Sequence, residues 1–265
     1  LEKGVSFLMS DLIDELTDDP TSGASGIYIK VLNHIVLGYL KGDDLSDVVR
    51  KKAGDMISLN YLADRLQGVP LFKQREIAKE LQKQVRADSS AAGIQLFKGL
   101  ANSKNIILCH SNSGTVLRAL EHRKNRIELI YQTQSKPGTD GRESAKAFKN
   151  NGFTVKLIAD SRVSTAIKGG AVPVLGADSV TQTFFVNKIG SASIVEKALE
   201  AGITPIVVVG SEKACTEEAY GDRPKSDLFE RVSLDKIRLI VGSSTYRMPR
   251  DRKRLWKMLE ETSRK

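Results

Sequence analysis

Cysteine is nearly absent: Cys109 and Cys215 are the only two in 265 residues, and neither stands in a CxxC or Cys/His metal spacing. A disulfide scaffold and a zinc module are therefore excluded. Histidine is as scarce, with His34, His110 and His122 and no HExxH pair, so no metal or other cofactor is expected. No apolar run reaches the roughly 20 residues that a membrane-spanning helix needs. The opening LEKGVSFLMSDL is charged within its first three residues, lacks an apolar core and a small-residue cleavage site, and does not read as a signal peptide. From these absences we expect a reducing, cytoplasmic setting without membrane contact. Apolar residues are not lacking: 40% hydrophobic and 28% charged residues are ordinary for a folded chain and exclude a disordered one.

The net charge of +9 raises a nucleic-acid reading, which depends on where the charge lies. From Arg247 to Lys265 there are eight Lys or Arg against three Asp or Glu, a basic helix at the C-terminal end of the sequence. No zinc finger or RNP aromatic motif accompanies it. RNA contact through this helix stands beside the simpler reading of a solvated helix face.

Two textures divide the chain. Val5, Leu8, Met9, Leu12, Ile13 and Leu16 recur at helical spacing, as do Tyr28, Val31, Leu32, Ile35, Val36 and Tyr39, with a break at Asp18, Asp19, Pro20 and Gly23. Leu45 to Ile57, the Ile77 and Leu81 pair and the stretch from Ala91 to Leu100 continue the pattern, so residues 1–101 are expected to form a helical N-terminal domain. From 102 to 265 short β-branched runs alternate with helical segments: Asn105–His110, Arg126–Tyr131, Phe153–Ile158, Ala171–Leu175, Pro205–Val209 and Arg238–Val241. Buried-looking strands separated by helices predict a Rossmann-like, doubly wound parallel sheet, and the chain as a whole an α/β protein. Helices are expected over Ser113–His122 and Ala192–Ala201, the second ended by Gly202. The polar stretch from Lys213 to Arg231 is the expected mobile loop.

Ligands of open parallel sheets lie outside the carboxyl ends of the strands. Three loops carry polar residues there. His110-Ser111-Asn112-Ser113-Gly114-Thr115 joins a strand to a helix, with hydroxyls and a glycine suited to a phosphate, or simply to capping the helix. Leu175-Gly176-Ala177-Asp178, running on to Asn187-Lys188-Ile189-Gly190, offers a carboxylate at a strand end and a cation near it; an ordinary turn would have the same spacing. Gln134-Ser135-Lys136-Pro137-Gly138-Thr139-Asp140-Gly141-Arg142 reads equally as a Pro/Gly loop closing onto a helix.

In this order the loops resemble the family of initiation factor 2B alpha, beta and delta subunits, methylthioribose-1-phosphate isomerase and ribose-1,5-bisphosphate isomerase. Gly176-Ala177-Asp178 and Val186-Asn187-Lys188-Ile189-Gly190 are similar to the family's GAD and NKxG signatures, and Cys109 to Gly114 to its THCN segment. Thr21-Ser22-Gly23-Ala24-Ser25 resembles its N-terminal Gly-Ala element. The resemblance implies phosphate or ligand contacts from Gly23, Ala24, Ser111, Asn112, Ser113, Gly114, Asn187, Lys188 and Lys213; of these Ser113, Asn187, Lys188 and Lys213 should converge on one cleft with a fixed, poorly exposed Asp178 at its floor. It implies Asp178 and Ser111 at the positions of the isomerases' catalytic Asp and Cys.

Ser111 departs from the catalytic Cys, and a serine hydroxyl does not ionise near neutral pH without a partner. Ser22 stands where the isomerases have a basic residue, and Gln134 and Lys136 where the family has Glu and Arg; Asn112 is isomerase-like. Cys109, two residues before Ser111, is either a buried small hydrophobe or a substitute thiol. The leading expectation is an initiation-factor-2B-like protein that binds a phosphorylated sugar or nucleoside monophosphate in a regulatory role. Its expected partners are a second copy of itself, as homodimer or higher oligomer, and translation initiation factor subunits. The alternative is an aldose-ketose sugar-phosphate isomerase.

Overall fold

The computed structural model describes residues 2–18, 23–221 and 227–263. Its N-terminal part is helical: α1 (Glu2–Thr17), α2 (Ala24–Leu37), α3 (Leu45–Ala53), α4 (Ile57–Leu66) and α5 (Leu71–Phe97). The apolar stripes read from the sequence meet in one core, with Met9 and Ile13 from α1, Val31, Leu32 and Ile35 from α2, Leu45 and Val49 from α3, and Leu59 and Leu62 from α4. Each such side chain, fully buried, contributes about 1.5–3 kcal/mol. α5 runs for 27 residues, about 40 Å. Its Ala78, Leu81 and Val85 complete the helical core, whereas Ala92, Leu96 and Phe97 lie in the core beneath the sheet.

From Asn105 onward strands and helices alternate: β1 (Asn105–Cys109), α6 (Gly114–Glu121), β2 (Ile127–Thr133), α7 (Asp140–Asn150), β3 (Val155–Ile158), α8 (Val163–Lys168) and β4 (Val172–Leu175). Then follow β5 (Ser179–Val180), β6 (Phe184–Lys188), α9 (Ser191–Glu200), β7 (Ile206–Val209), α10 (Glu217–Tyr220), β8 (Phe229–Ser233), β9 (Arg238–Val241), β10 (Ser244–Arg247) and α11 (Arg252–Ser263). Seven strands form one sheet in the order β10-β9-β7-β4-β1-β2-β3, parallel except where β10 pairs antiparallel with β9. All six strands expected from the sequence lie in it. The period-2 alternation is clean: Ile107, Val174, Ile206, Val208 and Ile240 face the α5, α6 and α7 side, and Leu108, Leu175, Val207, Val209 and Leu239 face the α8, α9 and α11 side.

A second sheet was not read from the sequence. β5, β6 and β8 form an antiparallel sheet in which Asn187 pairs with Glu230 and Lys188 with Phe229, so the Asn-Lys pair ends a strand rather than lying in a loop. The expected loop from Lys213 to Arg231 is likewise corrected: Ser211–Lys213 form a 3-10 turn with Lys213 buried, α10 follows, and β8 takes up Phe229–Arg231. Residues 222–226 of that stretch, and Thr21 and Ser22 of the N-terminal element, lie outside the described residues. Among the described residues no helix is long and apolar enough to cross a membrane.

Candidate functional site

The strand order reverses between β1 and β4, the switch point at which open α/β sheets carry their ligand crevice, outside the carboxyl ends of the strands. From β1 the chain enters His110–Ser113 and then α6. Ser113 caps that helix, its Oγ accepting from the Val116 N–H at 3.3 Å. It also fits against the β4 end, where a Cβ on Gly176 would come within 2.7 Å of the Ser113 Cβ; only glycine lets the two loops approach so closely.

The N-terminus of α2 arrives at the same place. Gly23 precedes it, and a Cβ there would lie 2.5 Å from the Asn112 carbonyl oxygen. Two residues further, Ser25 Oγ and Thr115 Oγ1 share a buried hydrogen bond of 3.0 Å. Two helix N-termini, α2 from Gly23 and Ala24 and α6 from Ser113 and Gly114, thus meet at the crevice, where first-turn amides and the positive ends of both dipoles favour an anion.

Four charged side chains follow along the same strand ends. Lys213 Nζ donates to the Ala177 carbonyl at 2.8 Å and lies 3.8 Å from Asp178 Oδ1. The Asp178 backbone is fixed by its N–H to the Val186 carbonyl, 2.8 Å away. Its side chain keeps 32% of its surface open, more than the sequence led us to expect, while that of Lys213 is 4% exposed. Desolvation raises the Asp178 pKa, Lys213 opposes the shift, and Asp140 adds to it. Lys188, 7% exposed, is ion-paired with Asp140 and also acts on Asp178 through its charge. The four formal charges cancel.

Among the expected residues, Asn187 is engaged away from the crevice. Asn187 is buried, and its Nδ2 donates to Ser191 Oγ at 2.9 Å, holding the start of α9. Ser111 is half-buried at φ +60, a conformation that costs a non-glycine residue about 1 kcal/mol. It is held there by its own N–H, donating to Ser135 Oγ at 2.7 Å, and by Gln132 Nε2, donating to its carbonyl at 3.2 Å. Cys109 points into the core on the α5 and α6 side, and burial pushes its thiol far up, so it is no substitute base.

Sequence reasoning assigned no role to two groups. His110 is buried, with Nε2 2.8 Å from the Ile189 carbonyl and Nδ1 2.7 Å from Thr133 Oγ1. A carbonyl only accepts, so the proton is on Nε2 and Nδ1 accepts from Thr133. Ser135 Oγ then donates to Thr133 Oγ1 at 2.9 Å, giving one directed chain from the Ser111 N–H to Ile189. Desolvation lowers the His110 pKa, in keeping with a neutral ring. The second group ties α5 to the turn that carries Lys213: Ser211 Oγ donates to Asp88 at 2.5 Å, Gln84 to Ser211 at 2.8 Å, and Glu212 is buried near Arg118 and Tyr28. A lone acidic residue beside Lys213 gave no sequence signal.

The basic C-terminal helix anchors Leu255 and Leu259 in the sheet core, and three of its cations are paired: Arg252 with Asp235, Arg254 with Asp251 and Lys257 with Glu261. A cleft of about 660 Å³ lies beside it, lined by Ser244, Thr245, Arg254 and Lys257, away from the switch point.

A family model described as the initiation factor 2 subunit family matches residues 18–231. A putative translation initiation factor eIF-2B subunit 2-like protein of Pyrococcus furiosus is 23% identical over 208 residues, 72% of this chain and 74% of that one. A ribose 1,5-bisphosphate isomerase of Archaeoglobus fulgidus is 30% identical over 119 residues, 44% of this chain but only 38% of that one. In three dimensions the chain is similar to the Pyrococcus horikoshii translation initiation factor eIF-2B, with a TM-score of 0.75 at 20% identity over 92% of this chain and 98% of that one.

Proposed function

Since the chain belongs to the initiation factor 2 subunit family, we propose that it binds a phosphorylated sugar or a nucleoside monophosphate in the switch-point crevice and works through protein partners rather than by turnover. The phosphate rests on the N-termini of α2 and α6, with Gly23, Ala24, Asn112, Ser113 and Gly114 around it. Asp178, set by Lys213, accepts from a ligand hydroxyl. The partners are a second copy of the chain and translation initiation factor subunits, in the cytoplasm.

The observation that carries this reading is the chemistry at position 111. Turnover by proton transfer needs a group that ionises near neutral pH. Ser111 has none, and the thiol two residues away is buried and protonated. The second reading, a sugar-phosphate isomerase, is favoured by one observation: the raised pKa of Asp178 suits a carboxyl that exchanges protons.

Thermal melts of the full chain with ribose 5-phosphate, ribose 1,5-bisphosphate, AMP and GMP test the proposal. A ligand at a hundred times its Kd adds about 2.7 kcal/mol, a shift of roughly 5–10 °C for a chain of this size. Absence of any shift across the panel overturns the binding reading. Robust aldose-ketose turnover that disappears in Asp178→Asn makes the isomerase the better one.

A further inference from the structure

We propose that Asp140 is a specificity-determining residue of this crevice: by keeping Lys188 in an internal ion pair, it restricts the site to ligands with a single phosphate group. The inference rests on the binding reading above and adds to it the ligand's charge.

The crevice offers an anion two kinds of positive charge. The helix N-termini of α2 and α6 form one position. The lysines would form another, but neither is available: Lys213 is turned to the Ala177 carbonyl and Asp178, and Lys188 to Asp140. A second phosphate near Lys188 would lie beside two carboxylates and find no net positive charge, while still losing its own hydration.

Asp140 cannot step aside easily, because the segment that presents it is fixed at both ends. Asp160 accepts from the Ser135 and Lys136 N–H groups at 2.9 and 3.0 Å, holding the loop after β2. Gly141, next to Asp140, lies so close to the Thr133 and Gln134 backbone that a Cβ there would be 2.6 Å from the Gln134 carbonyl oxygen. Gly138, at φ +103, passes directly over the ammonium, 3.3 Å from Lys188 Nζ to where its Cβ would be. As the first residue of α7, Asp140 also places its negative charge at the positive end of that helix's dipole.

Titration calorimetry of the full chain with ribose 5-phosphate and ribose 1,5-bisphosphate provides the test, read as the ratio of the two affinities in the wild type, in Asp140→Asn and in Asp140→Asn with Lys188→Met. In the wild type the second phosphate adds no affinity. Asp140→Asn raises the bisphosphate-to-monophosphate ratio about tenfold or more, the usual effect of gaining one charge-assisted contact, and the double variant loses the gain. A wild type that already prefers the bisphosphate tenfold overturns the inference without needing a variant, and so does an unchanged ratio in a folded Asp140→Asn; in either case the binding reading survives. If neither sugar phosphate binds, the inference fails together with the sugar-phosphate form of the binding reading, whose nucleotide form is judged separately by AMP and GMP.

Discussion

Replacing Gly23 by Ala tests the convergence of the two helix N-termini at a single atom. The backbone at Gly23 is not left-handed, with φ −69 and ψ 168, so alanine meets no conformational strain. Stiffening the unfolded chain even returns about 0.4–1 kcal/mol. The obstacle is the Asn112 carbonyl oxygen, 2.5 Å from the new Cβ and about 1 Å inside ordinary van der Waals contact. That neighbour is backbone and cannot rotate away, so α2 and the loop before α6 must separate. Overpacking of this kind costs about 1–3 kcal/mol, and the net loss of stability is at most about 2.5 kcal/mol, a fall of under roughly 10 °C in melting temperature. The functional loss is larger in proportion, because donors displaced by about 1 Å no longer share one anion. Melting curves should show a folded protein, and calorimetry a ribose 5-phosphate affinity reduced at least tenfold. A variant that melts like the wild type and binds within twofold of it would show that the two N-termini do not act on a common ligand.

Glu212, buried and with a raised pKa, binds its proton more tightly in the native state than in the unfolded chain. Its stabilising contribution is therefore present at low pH and lost as pH rises through the native value. Glu212→Gln should flatten the pH dependence of melting and melt no lower than the wild type near pH 8; a marked fall there contradicts the assignment. For His110 the sign is opposite: its lowered pKa means that stability is present above the unfolded value of about 6.5 and lost as pH falls through the native one. His110→Ala, which leaves Thr133 and Ile189 without their buried partner, should cost about 2–4 kcal/mol by urea denaturation; a cost below about 1 kcal/mol refutes the directed chain. Wild-type protein should turn over no aldose phosphate, and Ser111→Cys should introduce measurable isomerisation, because it restores an ionisable group in a site that keeps Asp178; strong wild-type turnover refutes this.

The parallel strands were legible because a strand such as β7, with Ile206, Val207, Val208 and Val209, is buried on both faces and leaves an unbroken apolar run. β10 was not, since Ser244, Thr245 and Arg247 form an edge strand whose polar residues look like a turn. β6 was hidden in another way: its Asn187 and Lys188 attracted attention as chemistry, and only the pairing with β8, some forty residues away, makes them strand. At the site, residue types at strand ends pointed to Asp178 and Ser113. They could not indicate that Asn187 is occupied by Ser191, or that Lys188 is occupied by Asp140, because both depend on where a side chain turns after the backbone is set. His110 and Glu212 were unreadable for a related reason: a polar residue counts as exposed until tertiary structure supplies the partners that let it be buried.

α5 belongs to two hydrophobic cores along a single uninterrupted helix. Its hydrogen-bond ladder cannot fray in one half without loosening the neighbouring turns, so melting the helical bundle strips Ala92, Leu96 and Phe97 of support, and melting the sheet does the same to Ala78, Leu81 and Val85. The lobes should therefore unfold as one cooperative unit, and the way the bundle presents α2 to the sheet is set by this rod together with the Ser25–Thr115 and Asp88–Ser211 contacts rather than by a flexible joint.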